Sequence, residues 1–306
     1  MERIDNSYQL RKYYFMLRNG IKEFLYALTH QKIKTKKFPE IINIETSIIC
    51  NANCVTCPHK SIKRKINMEF ETVKKIIDNA SKYPVKEIHP FNYGEPFIYP
   101  QFIELLRYVR KKMPKTKLIV YSNGAAMTEE QMTTVIKERL LDKINFSLDA
   151  ASPKTYKLIR GLDYKKTVEK INYFIALKRK YGSNLDISVS FVLTSGNEKE
   201  LKLFKKYWKG KARLHIALDD GRSGRAFINR FSKMPCKSPF IRMFILTDGR
   251  VVCCEHDARG DMILGNINNN SLEEIWNSKE YRNLRMMHNS QNKKRVPLCK
   301  NCRARF

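Results

Sequence analysis

Between residues 41 and 218 the apolar positions alternate between two rhythms. IINIET, KEIHPFN, KLIVYSNG, KINFSLD, LDISVSFVL and ARLHIAL are short runs rich in β-branched residues and read as six strands. The stretches between them, NMEFETVKKIIDNASKY, PQFIELLRYVRKKM, TEEQMTTVIKERLL, YKKTVEKINYFIALKRKYG and NEKELKLFKKYW, repeat at steps of three and four and read as helices. Thr128 stands where a helix N-cap is wanted. Strands alternating with helices imply parallel strands joined by right-handed crossovers. An open doubly wound sheet and a barrel, complete or partial, both satisfy that order. Either way, functional residues belong where each strand runs into its following loop.

The flanks follow other patterns. From residue 7 to about 30, Leu10, Tyr14, Leu17, Ile21, Leu25 and Leu28 mark a basic amphipathic helix, expected to pack on its own domain rather than on a membrane. QKIKTKKFPE then reads as a basic linker. After Leu218 the alternation stops. FILTDGRVVCC reads as a hairpin turning at Asp248-Gly249, and SLEEIWNSKEYRNLRMM as one short helix. Three segments result: 1–40, 41–218 and 219–306.

Composition changes this picture little. No run approaches the roughly 20 apolar residues of a membrane span, and MERIDNSYQLRKYY lacks the apolar core of a secretory signal. A cytoplasmic protein is expected. The charge is another matter: 59 Lys+Arg against 30 Asp+Glu gives +29, which favours anionic partners. The lysines are scattered along the chain, so the excess reads first as solvated helix faces.

The eight cysteines fall into two groups: 50, 54 and 57, then 236, 253, 254, 299 and 302. In a reducing compartment such groups point to metal or Fe–S ligation rather than disulfides. Cys50, Cys54 and Cys57 leave a tetrahedral zinc site one ligand short unless His59 completes it. On a [4Fe–4S] cluster, three thiolates leave one iron open to a small molecule.

C-x3-C-x2-C directly after the first strand of a β/α domain resembles the radical S-adenosylmethionine (SAM) enzymes. The resemblance implies a partial (β/α)6 TIM-like barrel and a SAM-binding [4Fe–4S] cluster. It also implies SAM as cofactor, reductively cleaved to a 5′-deoxyadenosyl radical, and an electron donor such as flavodoxin or ferredoxin. Thr56 stands where the family usually has an aromatic residue. Tyr93-Gly94-Glu95-Pro96, at the end of the second strand, is similar to the family's GGEP, which receives the SAM amino group. Ser122-Asn123-Gly124 ends the third strand as in relatives. Ser147 and Asp149 end the fourth, where relatives contact ribose or the methionyl end. Arg160 lies where relatives meet the SAM carboxylate.

The tail resembles the SPASM/Twitch extension of that family, a small C-terminal Fe–S domain. Shared are Cys236, the D-G-x-V-x-x-C hairpin, G-N-I before a helix with Trp276, and a terminal C-x2-C. By this likeness Cys236, Cys254, Cys299 and Cys302 hold one auxiliary [4Fe–4S] cluster. Cys253 is spare and is expected to face the other side of the hairpin. The same four thiolates would also suit structural zinc.

The loop after the last strand supplies candidate chemistry. Asp219 or Asp220 could accept a substrate hydroxyl proton and Arg222 and Arg225 could hold an anionic group, with His215 and His256 nearby. The resulting expectation is a radical SAM oxidoreductase that dehydrogenates a small molecule such as a sugar or aminocyclitol. A maturase acting on a ribosomal peptide or protein is the alternative. A zinc-containing RNA-binding protein is more remote, and nucleic acid is not the favoured partner.

Overall fold

The computed structural model describes residue 21 and residues 32–64, 66–219, 235–300 and 302. The expected N-terminal helix, with Asp220, Arg222 and Arg225, lies outside the described residues. Six parallel strands are present where the sequence predicts them: β1 (Ile41–Ile44), β2 (Glu87–His89), β3 (Lys117–Ser122), β4 (Lys143–Ser147), β5 (Asp186–Leu193) and β6 (Arg213–Leu218). Each pairs in parallel with its sequence neighbour, so all six run out to the same edge. The result is the partial TIM-like barrel of the α/β class.

Helices α1 (Phe70–Ala80), α2 (Phe102–Lys112), α3 (Glu129–Lys137), α4 (Pro153–Arg160), α5 (Tyr164–Lys180) and α6 (Leu201–Trp208) intervene. The periodicity is what buries them: α1 turns Val73, Ile76, Ile77 and Ala80 inward, and α2 turns Phe102, Leu105, Leu106 and Val109. Thr128 and Gln131 form the reciprocal cap of α3. Helix α4 escapes the sequence pattern because it is short, yet it is strongly delimited. Ser152 caps it, Pro153 begins it, and Gly161 ends it at φ 73°.

The tail does not form a separate sheet. β7 (Arg242–Ile245) pairs in parallel with the free edge of β1, register Ile44 to Ile245, and β8 (Arg250–Val252) and β9 (Ile263–Asn266) follow antiparallel. The nine strands lie in the order β6-β5-β4-β3-β2-β1-β7-β8-β9. β7 thus occupies the edge through which β6 would have closed a barrel. The predicted single helix around Trp276 is two: α8 (Leu272–Trp276) and α9 (Lys279–Asn289), following the short α7 (Ser238–Ile241). Ser271 and Ser278 each cap a new helix start, which is why the chain breaks at Asn277. Trp276 is fully buried and its indole N–H donates to the Lys36 carbonyl at 2.9 Å. Among the described residues no helix is long and apolar enough to cross a membrane.

Candidate active site and auxiliary cysteine site

A cavity of about 300 Å³ opens at the outgoing ends of the parallel strands. The loop after β1 brings Cys50, Cys54 and Cys57 to its wall, and the loop after β2 brings Tyr93, Gly94 and Glu95. Ser122 and Asn123 enter from β3, Ser147 from β4, Arg160 from the end of α4, and His215 and Asp219 from β6. Eleven of the expected site residues, with His215 as a twelfth, therefore converge on one space. Asp149 does not line it.

The cysteine loop is tied down by backbone. Asn53 and Val55 donate to the carbonyls of Arg160 and Ile159, each at 2.9 Å, and Glu95 N–H donates to the Ile49 carbonyl at 2.9 Å. Gly94 is required by this last approach: a Cβ there would lie 2.0 Å from the Ser47 carbonyl oxygen. His59 donates through Nε2 to the Ile48 carbonyl at 2.6 Å and so braces the loop.

Glu95 is completely buried, yet three donors serve its carboxylate: Ser122 hydroxyl to Oε1 and Asn123 N–H to Oε2, both at 2.7 Å, and Phe97 N–H to Oε1 at 3.4 Å. Burial pushes its pKa up to about 7, against these donors and the Arg160 charge. A group so placed gains by meeting an ammonium. Asn123 also reaches across to Asn51 Oδ1 at 2.7 Å and toward Cys50 Sγ at 3.9 Å, coupling the third strand end to the cysteine loop.

Arg160 sends Nη1 to Cys54 Sγ at 3.4 Å and Nη2 to the Asp149 carboxylate. Burial works against its charge, but Asp149 and Cys54 together hold its pKa above the usual arginine value. Asp149, at φ 62°, spends its other oxygen on the Val192 N–H at 2.7 Å. Its part here is to aim Arg160. Glu200 supports the same helix: it accepts from Ala151 N–H at 2.6 Å and from the Ser152 and Thr155 hydroxyls, Thr155 at 2.5 Å. The sequence offered no signal for Glu200, because its partners lie some 45 positions away.

Both His215 and Asp219 face the cavity. Partial burial, then the Lys143 charge, lowers the His215 pKa and keeps its ring neutral. Phe91 stacks on Tyr121 at 5.0 Å and 11°, giving the wall between β2 and β3 a flat aromatic surface that sequence reading did not find.

The second cysteine group gathers in the tail. Cys236, Cys253, Cys254, Cys299 and Cys302 share one small cavity with His256, His288 and Lys293. Cys253 therefore does not face away as expected. The ladder shifts register between Val251 and Val252, and β8 ends before the pair, so strand alternation no longer governs it. The two sulfurs lie 3.8 Å apart with Cys253 as donor, which together with His256 holds Cys254 below the usual thiol range. His288 accepts from Cys236 N–H at Nδ1 (3.1 Å), and its Nε2 lies 3.6 Å from Cys299 Sγ.

The donor sets suit iron–sulfur groups. Burial pushes the thiols of Cys50 to about 11, and of Cys236 and Cys299 to about 12. Soft sulfur donors of this kind ionise when a cation meets them. Guanidinium and amide N–H groups already point at Cys54 and Cys50, as an anionic ligand sulfur requires.

Residues 44–187 match the Radical SAM superfamily, and residues 236–303 match SPASM, an iron–sulfur cluster-binding domain. Among curated proteins the chain is similar to the S-adenosyl-L-methionine-dependent 2-deoxy-scyllo-inosamine dehydrogenase of Niallia circulans, 23% identical over 274 residues, covering 87% of this chain and 93% of that one. Among solved structures it resembles BtrN in complex with AdoMet and 2-DOIA, with TM-score 0.62 and 20% identity over 89% of this chain and 95% of that one. It also resembles Streptococcus suis SuiB bound to precursor peptide SuiA, with TM-score 0.69 and 15% identity over 89% and 72%. At these identities the structural likeness is one of fold.

Proposed function

Because the chain belongs to the radical SAM superfamily and carries a SPASM iron–sulfur domain, we propose that it oxidises an alcohol carbon of a small polar substrate, an aminocyclitol or sugar, to the ketone. The observation that carries this reading is the shared cavity. Three thiols, a buried carboxylate and Asp219 line one space, and a second cysteine site gathers in the tail.

Cys50, Cys54 and Cys57 would hold the SAM-binding [4Fe–4S] cluster. Cys236, Cys254, Cys299 and Cys302 would hold the auxiliary one, and Cys253 stands by as a fifth thiol. When bound, the first cluster and SAM together supply a carbon radical able to take hydrogen from an unactivated C–H bond. Glu95 would receive the SAM amino group. Arg160, held by Asp149, would meet the carboxylate end of SAM. Gly94 and Asn123 fix the positions of Glu95 and of the cysteine loop, and Ser122 orients the Glu95 carboxylate. Ser147, on the same wall, would contact the ribose or methionyl end. Asp219 accepts the substrate's hydroxyl proton, with neutral His215 beside it in the cavity wall.

Four cysteine thiolates would close the coordination of a four-iron cluster there, which favours electron transfer over substrate ligation at this site. The electron that starts each turnover comes from an acidic carrier such as flavodoxin or ferredoxin, for which a net charge of +29 is complementary. A peptide substrate is the alternative, as SuiB is seen with a precursor peptide.

The test is anaerobic reconstitution followed by assay. About eight iron atoms per chain are expected from two four-iron clusters. Dithionite and SAM should then release 5′-deoxyadenosine, and with 2-deoxy-scyllo-inosamine each equivalent should accompany one ketone. Stoichiometric zinc without deoxyadenosine sinks the enzyme reading. Deoxyadenosine without any cyclitol or sugar ketone shifts the substrate class to peptides.

A further inference from the structure

His288, on α9, is almost completely buried and lines the auxiliary cavity. The Cys236 N–H donates to its Nδ1 at 3.1 Å, so Nδ1 carries a lone pair and the neutral ring has its proton on Nε2. Nε2 lies 3.6 Å from Cys299 Sγ. One imidazole therefore joins the backbone of the first tail cysteine to the sulfur of a later one, and both its nitrogens are committed. Read as sequence, a lone histidine in MMHNS carries no signal. Only the return of the C-terminal segment onto α9 gives it a partner.

We propose that His288 sets the redox potential of the auxiliary cluster, its Nε2–H donating a hydrogen bond to the Cys299 thiolate and so favouring the reduced state. The proposal rests on the reading of this site as an iron–sulfur electron acceptor. Reduction adds one electron, whose charge spreads onto the ligand sulfurs. A donor fixed against one of those sulfurs stabilises the added charge, and does so more strongly in a buried, low-dielectric site. Because the Cys236 N–H holds the ring from its other side, the donor needs no reorganisation when the electron arrives. Lys293 also lines the cavity. It contributes its charge equally in every variant below and cancels from the comparison.

The experiment uses the full-length chain with Cys50, Cys54 and Cys57 changed to Ala, so that only the tail binds a cluster. It is reconstituted anaerobically and titrated redox-wise, with electron paramagnetic resonance as readout. His288→Phe should lower the potential until the reduced-to-oxidised ratio at fixed poise falls about tenfold, which is ~59 mV for one electron. His288→Gln should stay near the parent, because its amide can accept from Cys236 N–H and donate to sulfur. A His288→Phe protein with about four irons and an unchanged potential overturns the proposal. So does a Gln variant displaced as far as Phe. If His288→Phe fails to keep iron, pulsed resonance on the parent labelled with ¹⁵N-histidine decides. A nitrogen coupling to the reduced cluster that is lost in the Gln variant supports the proposal, and its absence from the parent overturns it. Zinc in place of iron overturns the electron-acceptor reading and this proposal together, whereas iron with an unmoved potential overturns this proposal alone.

Discussion

The Tyr93 hydroxyl donates a hydrogen bond to the Glu255 carbonyl, joining the wall of the active-site cavity to the loop just beyond Cys253 and Cys254. The ring between them is buried with Ile48, Ile62 and Ala258, and Cys57 packs against the same cluster. The family's motif has glycine where this chain has Tyr93, so the two cysteine sites are bridged here by a side chain that motif lacks. Tyr93→Phe should keep the packing and lose the bond, lowering stability by about 1 kcal/mol. Tyr93→Gly should cost at least ~3 kcal/mol by leaving a cavity. Anaerobic thermal unfolding of the reconstituted protein separates the two.

Gly94 cannot become alanine without moving backbone, since the new Cβ would sit 2.0 Å from the Ser47 carbonyl oxygen. The residue displaced is Glu95. A shift of about 1 Å at a positioning group costs on the order of a hundredfold in rate. Gly94→Ala is therefore expected to cut 5′-deoxyadenosine release about that much while iron content stays near the parent value. Parental release would show that the approach of these two segments does not matter to SAM.

With Glu95 in the proposed SAM-binding role, its ionisation should make SAM binding pH-dependent. Its pKa is raised by burial from 4.5 to about 7, and only the ionised form attracts an ammonium. SAM affinity should be flat above pH 7 and fall about tenfold per unit below it. The sign for folding is opposite. The folded ligand-free chain binds this proton more tightly than the unfolded chain does, so its contribution to stability declines as pH rises from 4.5 to about 7. Glu95→Gln should remove both trends and weaken SAM at pH 8. Equilibrium dialysis and thermal melts across pH 5.5–8.5 check them.

Asp149 and Arg160 form a buried ion pair in which one partner alone is costly. Asp149→Asn keeps a residue tolerant of the positive φ but takes away the carboxylate that pairs with the buried guanidinium, at an expected cost of about 3–5 kcal/mol. Adding Arg160→Met should recover part of that stability while SAM cleavage stays lost. Denaturant midpoints measure the first effect and deoxyadenosine release the second.

Asp219→Asn addresses the chemistry after SAM. A carboxylate that takes the substrate proton can be removed without touching the cysteine loop, so deoxyadenosine release should persist. Ketone formation should drop by about 10²–10⁴. An equal loss of both products would place Asp219 with SAM rather than with the substrate.

The sequence by itself determined the alternation of six strands and their helices, because burial on a β/α scaffold forces a readable period. It also picked out strand ends whose residues line the cavity. Cys50, Glu95, Asn123 and Asp219 each sit just past an apolar run, and that position is local. What the period could not carry was decided by tertiary structure. β7 adds to the open edge of β1 because edge pairing depends on which strand returns alongside, and nothing in RMFI states its partner. Cys253 turns in with Cys254 because a register shift at Val251 and Val252 breaks the two-residue alternation. Asp149 faces Arg160 instead of the cavity, and His288 faces Cys236 and Cys299, because a hydrogen bond forms with whatever the fold places within reach, about 3 Å for oxygen and nitrogen and somewhat more for sulfur. Period and motif are properties of neighbours along the chain. Partnership belongs to neighbours in space, and only folding creates those.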